Sequence, residues 1–317
     1  MRAAALHRID DATPPPSAAP SSLVVGNFDG VHLGHAAVLR EAVASASSRS
    51  LGTSVLTFDP HPAAIVGSGA PAALTTLERR AELVGDLGVE RMWVRTFDAA
   101  FASWSPEKFA RDLVSASLRA RVVVVGQNFR FGAKRAGDLN LLRKLGEELG
   151  FEVRVHAIAS DAHGPYSSTR AREAIAAGDL DEAARVLGRP HELSGTVARG
   201  DQRGRTLGFP TANLDPVAEM LPPDGVYAVR VEEIRDGASA RPLGGGVTNI
   251  GVRPTVAGQT GHRTVETFLL GFSGDLYGAK LRLHLIARLR EEKRFAGLDA
   301  LKEQIALDCK AAAAKLA

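Results

Sequence analysis

The chain has 317 residues, 45% of them hydrophobic and 24% charged, with a net charge of +3 and one cysteine, Cys309. That length predicts two domains with sizeable cores, and the composition is that of an ordinary globular protein. A lone cysteine excludes an internal disulfide framework and argues against a cysteine-based zinc site, and no run approaches the ~20 apolar residues of a membrane-spanning helix.

The N-terminal stretch "MRAAALHRIDDATPPPSAAPSS" lacks a sustained apolar segment ahead of Asp10-Asp11. No signal peptide is therefore read, and a cytoplasmic location is expected. Residues 11–22 are rich in Pro, Ser and Ala and read as a loose lead-in. After that, β-branched runs alternate with helical patterns. Strands are predicted at 23–26, 54–58, 91–97, 121–126 and 153–158, with helices near 35–47, 77–87, 107–118 and 139–149. Thr75 with Glu78 reads as a capping box, and Ser105-Pro106 as an N-cap followed by proline at the first helical position. Strand–helix alternation with Val-rich strands predicts an α/β, doubly wound parallel sheet.

The pattern changes near Gly188-Arg189-Pro190, after the helical "DLDEAARVL". Strands are predicted at 193–197, 226–234, 246–250, 264–270 and 281–290, separated by Gly- and Pro-rich turns, with a closing helix at about 298–316. That is the pattern of a small antiparallel β-barrel. The predicted domains are therefore 1–188 and 189–317.

Ligands of open α/β sheets bind outside the carboxyl ends of the strands. Three unusual stretches fall there: "GNFDGVHLGH" (26–35), "FDPHP" (58–62) and "GQNFRFG" (126–132). In the first, Gly26 and Gly30 permit a sharp turn, and a helix starting near Leu33–His35 offers free N–H groups to an anion. His32 and His35 share one face and can hydrogen-bond a phosphate. The plainer reading is a pair of surface histidines. Zinc is a third reading, with His61 the sole obvious further ligand. Phe129 and Phe131 can stack on a flat ring or simply fill the core.

"HLGH" after a strand and tight turn resembles the HxGH signature of nucleotidylyltransferases. "YSSTRAR" (166–172) resembles their second signature: hydroxyls of Ser167, Ser168 and Thr169 at a helix start, with the forked cation of Arg172. Alone, it is a plain helix cap.

In the second half, "GDQRGRTLGFPTANL" (200–214) sets glycines among arginines, as a phosphate-cradling loop does, although no Walker A loop occurs. Thr211 and Asn213 share one side of an extended chain, where hydroxyl and amide oxygens suit Mg²⁺. The plainer reading is a Pro-turn into an edge strand. Glu266 interrupts the apolar run "TVETFLL" and is either a proton acceptor or an exposed rim carboxylate.

With "GVYAV", "NIGVRPT" and "GDLYG" added, these motifs run in order from about residue 22 to 310. Together they resemble the bifunctional riboflavin kinase/FAD synthetase (FMN adenylyltransferase) family. The resemblance implies a C-terminal barrel that phosphorylates riboflavin to FMN with ATP. It implies an N-terminal nucleotidyltransferase domain that adenylylates FMN to FAD with release of pyrophosphate. The first ATP site would comprise Gly26, Phe28, Asp29, Gly30, His32, His35, Ser167, Ser168, Thr169 and Arg172, with His32, His35 and Arg172 catalytic. Phe58, Pro60, His61, Asn128, Phe129 and Arg130 would face its flavin. In the kinase, Gly204, Arg205, Gly208, Phe209, Pro210, Thr211 and Asn213 would hold ATP, with Thr211 and Asn213 on Mg²⁺. Glu266 would be the base, and Arg290 would lie near the flavin. Phe268 and Gly271 depart from the family pattern, which often has a polar and an acidic residue there.

Two rivals remain. One is an adenylyltransferase with a regulatory flavin-binding barrel, which an intact PTAN segment and Glu266 oppose. The other is a nucleic-acid binder using "FRFGAKR", "RGDQRGR" and "RLREEKR", which an aromatic content of 5% opposes. Small-molecule substrates, no nucleic-acid or membrane partner, and a monomer or weak homo-oligomer are expected.

Overall fold

The computed structural model describes residues 3–13, 15, 18–67, 69–199, 209–235, 239–252 and 263–317. The chain divides into two compact units: Met1–Ala72 with Thr76–Ser167, and Ala73–Thr75 with Ser168–Ala317.

The first unit is built on a six-stranded parallel sheet: β1 (Ala5–Ile9), β2 (Ser21–Val25), β3 (Gly52–Asp59), β4 (Arg91–Thr96), β5 (Ala120–Gly126) and β6 (Glu152–His156), in the order β1-β4-β3-β2-β5-β6. Both faces are covered, so neighbouring residues of one strand enter different cores. Leu23, Val25, Val123 and Val125 face one core, and Val24, Val122 and Val124 the other. Helices α1 (Leu33–Ser47) and α3 (Leu77–Asp86) cover the second face through Leu39, Ala42, Ala81 and Val84. The first face receives α6 (Leu139–Leu149) and the helix begun by α5 (Pro106–Lys108) and continued as a π-helix over Phe109–Ser117. Two short helices, α2 (Pro62–Ile65) and α4 (Ala99–Ala102), and a 3-10 turn over Ala133–Arg135 complete the helical elements of this unit among the described residues. The hairpin β7 (Ser160–Asp161) and β8 (Gly164–Pro165) precedes Ser167.

Ser105 caps α5 as expected, accepting from Lys108 N–H. The cap of α3 is corrected by one residue. Thr76, not Thr75, accepts from Arg79 N–H, while Thr75 is buried. Strand β1 has no counterpart among the predicted strands. It is an edge strand in which only Ile9 is fully buried, so it leaves no apolar run in the sequence.

The second unit begins with α7 (Ser168–Ala177) and α8 (Leu180–Leu187). Strands β9 (Glu192–Ala198), β10 (Thr211–Asp215), β11 (Gly225–Ile234), β12 (Arg241–Val252), β13 (Arg263–Leu269) and β14 (Lys280–Arg290) close into an antiparallel barrel, ordered β10-β13-β12-β11-β14-β9. Leu193, Tyr227, Val229, Ile250, Val265, Leu281 and Leu283 fill it, and Leu180 of α8 joins that core. Through this packing α7 and α8 group with the barrel in the second compact unit, which starts at Ser168. The final helix, α9 (Leu298–Leu316), buries Ala312 against Val226, Ala228 and Val247. No helix among the described residues is long and apolar enough to cross a membrane.

Candidate active sites

The strand order of the first unit reverses at β2, which has β3 on one side and β5 on the other. The crevice at such a reversal is where open α/β sheets bind ligands. The turn leaving β2 fills that position. Phe28 (φ 51°), Gly30 (φ 83°) and Val31 (φ 40°) all take left-handed backbone, which is costly for the two L side chains. Burial holds the turn in place. Phe28 and Val31 are core residues, and Asp29 is buried against Arg80 of α3, Oδ1 to Nη2 3.2 Å. Arg80 Nη1 also donates to the Asn27 carbonyl at 2.8 Å, which receives Thr57 Oγ1 at 2.9 Å.

The turn delivers His32 as the N-cap of α1, with its Nδ1 accepting from the His35 backbone N–H. In neutral His32 the proton therefore sits on Nε2, the donor nitrogen of that tautomer. The two imidazoles stack with centroids 3.6 Å apart at 23°, and Phe28 supports His35 from behind at 5.1 Å. Burial first, then the charges of His32 and Arg80, hold the His35 pKa well below its ordinary value, so the ring is neutral. Gly34 sits in a tight place. A Cβ there would lie 3.0 Å from the His32 ring and 3.1 Å from the Tyr166 carbonyl, so the first residue of the second motif abuts the first motif. Ser168 and Thr169 open α7 and Arg172 lies one turn on, beyond the division between the units.

Gly26 closes on the Phe28 ring, 3.1 Å from its ideal Cβ. His61 caps α2 through Nδ1, and its Nε2 meets Asn27 Nδ2 at 3.0 Å, joining the loops after β2 and β3. Both ring nitrogens are thus engaged. Among the described residues no group of three or more His, Cys, Asp or Glu could hold a metal ion. Phe58 packs edge-on to Phe97 at 5.6 Å, and Phe129 stacks on Phe131 at 5.6 Å and 15°. Pro60, Asn128 and Arg130 are exposed, the last 3.7 Å from Asp138.

In the barrel, Val265, Thr267 and Leu269 face the core, so Glu266 and Phe268 face outward. Asn213 pairs directly with Glu266, Thr211 with Phe268, and Asn249 with Glu266 from the other side. Direct antiparallel partners share a face. The ladder therefore gathers Thr211, Asn213, Glu266 and Asn249 on one outer patch. A cleft of about 560 Å³ beside it is lined by Pro210, Thr211, Phe268, Phe272, Asp275 and Tyr277, among others. Phe209 meets Phe268 edge-to-face at 5.3 Å. Arg290 is held by Asp308 of α9 through Nε (3.0 and 3.1 Å) and Nη2 (2.8 Å). Gly271 lies in the turn after β13, with φ 67°. Gly204, Arg205 and Gly208 lie outside the described residues.

Sequence reasoning missed Asn27, Arg80 and Asn249. Adjacent Arg79 and Arg80 on an amphipathic helix were the available signal for one of them, since two buried arginines need acceptors.

Residues 15–170 match the FAD synthetase family model and residues 187–316 the riboflavin kinase model. A bifunctional riboflavin kinase/FMN adenylyltransferase of Escherichia coli (strain K12) is 42% identical over 90% of this chain and 90% of its own length. One of Pseudomonas fluorescens, with the same description, is 39% identical over 92% and 91%. A crystal structure described as a macrolide-efflux protein from Streptococcus pneumoniae is 28% identical, with a TM-score of 0.83 over 97% of this chain and 98% of that one.

Proposed function

The chain belongs to the bifunctional riboflavin kinase/FMN adenylyltransferase family, converting riboflavin to FMN and FMN to FAD, and we propose that residues 1–188 adenylylate FMN while residues 189–317 phosphorylate riboflavin. ATP is the donor in both steps. The observation that carries the division is the pair of separate polar sites: stacked histidines at the switch point of the sheet, and Asn213 opposite Glu266 on the barrel.

For the kinase step, Glu266 accepts the proton of the ribityl 5′-hydroxyl as that oxygen attacks the γ-phosphorus of ATP in line and ADP leaves. The hydroxyl of Thr211 and the amide oxygen of Asn213 fit Mg²⁺, because the ladder sets them on one face beside a carboxylate. Bound Mg²⁺ would neutralise charge on the phosphates. Phe209 and Pro210 flank the nucleotide, with Gly204, Arg205 and Gly208 on the preceding segment. Arg290 lies toward the flavin, oriented by Asp308.

For the adenylyl step, the FMN phosphate attacks the α-phosphorus of ATP and pyrophosphate leaves. His32 donates from Nε2 to the α-phosphate oxygens, and neutral His35 adds a hydrogen bond without a charge. Gly26 and Gly30 let the backbone approach the nucleotide, while Phe28 and Asp29 brace the turn. Ser167, Ser168, Thr169 and Arg172 hold the departing phosphates. Phe58, Pro60, His61, Asn128, Phe129 and Arg130 border the flavin. Both steps are positioning and electrostatics, with no covalent enzyme intermediate.

The test is a time course of purified protein with riboflavin, ATP and MgCl₂, the flavins separated by chromatography. FMN followed by FAD is expected. FMN alone would overturn the assignment of the histidine site. FAD from added FMN, with none from riboflavin, would overturn that of Glu266.

A further inference from the structure

Glu292 lies two residues beyond the end of β14, outside every role assigned above. Its Oε1 accepts from Asn249 Nδ2 at 3.1 Å. Asn249 is the direct ladder partner of Glu266, so Glu292 is tied to the immediate neighbour of the proposed base. A second observation concerns Gly251, one pleat further along β12. A Cβ built there would lie 1.9 Å from Glu292 Oε1 and 2.4 Å from its carboxyl carbon. The carboxylate thus rests against backbone that only a glycine leaves bare. The segment that carries it, 291–297, is fastened on its other side to α9. Arg290 grips Asp308, Lys293 Nζ donates to Gln304 Oε1, and Gln304 Nε2 donates to Asp308 at 2.8 Å. Glu292 is its attachment to β12.

We infer that Glu292 is a positioning residue for riboflavin phosphorylation. It holds the Asn249 amide and seats the 291–297 segment on Gly251. This fixes the row Asn213–Glu266–Asn249 along which the attacking hydroxyl is aligned. The inference rests on the assignment of Glu266 proposed above. Glu292 touches no reacting atom, so its loss costs alignment and leaves nucleotide binding intact.

The test uses the full chain with riboflavin, ATP and MgCl₂, reading kcat and KM separately. Glu292→Ala lowers kcat for FMN formation about 10- to 100-fold, the cost of a misplacement near 1 Å, and leaves the KM for ATP unchanged. Gly251→Ala gives the same loss, because the new methyl evicts a flexible carboxylate without straining the strand. The double variant adds nothing further, as expected of two changes that break one contact. Glu292→Gln, whose amide oxygen still accepts from Asn249, recovers most of the rate. FAD formation from added FMN stays unchanged throughout, which checks the other unit. Native kcat in Glu292→Ala, losses that multiply in the double variant, or a Glu292→Gln as slow as Glu292→Ala would each overturn the inference. A fully active Glu266→Gln would instead remove the site it rests on, and both would fall.

Discussion

In the parallel-sheet unit the candidate groups are held by backbone, whereas in the barrel they are held by strand register. The turn after β2 puts three left-handed residues within four positions and secures them with one buried arginine and two core side chains. The barrel patch has no comparable strain. Asn213, Glu266 and Asn249 meet because three ordinary strands lie in one alignment. A site made by a turn depends on distant support and fails when that support is removed. A site made by a ladder tolerates changes around it and fails when its own side chains change.

The largest effects should come from separating the two sites. His32→Ala is expected to slow FAD formation about 100- to 1000-fold, the cost of one transition-state donor, and to leave FMN formation untouched. Glu266→Ala should slow FMN formation about 100-fold or more and spare FAD formation from added FMN. Chromatography of both products reads each pair, and equal slowing of both steps by either variant would break the two-site division. Next, Arg80→Met leaves Asp29 buried without its charge partner. It should destabilise the sheet unit by about 3 kcal/mol in denaturant unfolding. Trp93 and Trp104 report this unit alone, being the two tryptophans of the chain. Gly34→Ala, which crowds His32 against the Tyr166 carbonyl, should slow FAD formation about tenfold with little change in stability.

The smallest effect is in pH, and its sign differs between the units. Burial keeps folded His35 neutral while the unfolded chain binds a proton more readily, so the sheet unit loses stability as pH falls through and below 6.5. His284 of the barrel is also opposed by burial. Its hydrogen bonds to Glu192 and Glu232 outweigh that and raise its pKa to about 9. Its contribution is complete below 6.5 and is lost as pH rises toward about 9. Unfolding followed by tryptophan emission and by barrel circular dichroism between about pH 6 and 9 should show opposite slopes, and His284→Gln should flatten the second.

The alternation of Val-rich runs and helices made the sheet legible, and short strands between Gly-rich turns did the same for the barrel. Both depend on local periodicity, which sequence displays directly. The motif after β2, and Thr211 and Asn213 of β10 with Glu266 of β13, were legible because their residue types are chemically unusual where they stand. What escaped notice depends on distant partners. Arg80 reaches Asn27 and Asp29 across more than fifty positions, and Asn249 reaches Glu292 across 43. Either Thr75 or Thr76 can cap a helix. The choice fell to Thr76 because the packing buries Thr75, which the sequence does not display. The helical patterns of α7 and α8 are visible in the sequence, but which unit they pack with follows from Leu180 entering the barrel core.

The alignment of β13 also sets which kinds of mutation the barrel can survive. Side chains alternate along a strand with a period of two. One residue inserted between Arg263 and Val265 would turn the Glu266 carboxylate toward the core and push Val265 outward. Of the outward positions, Thr264 can be substituted without touching the candidate site, whereas gain or loss of a single residue turns the rest of the strand over. Length changes in this strand should therefore come in pairs or be displaced into the turns, and a library of one-residue deletions across 263–269 should yield far fewer active clones than one of two-residue deletions.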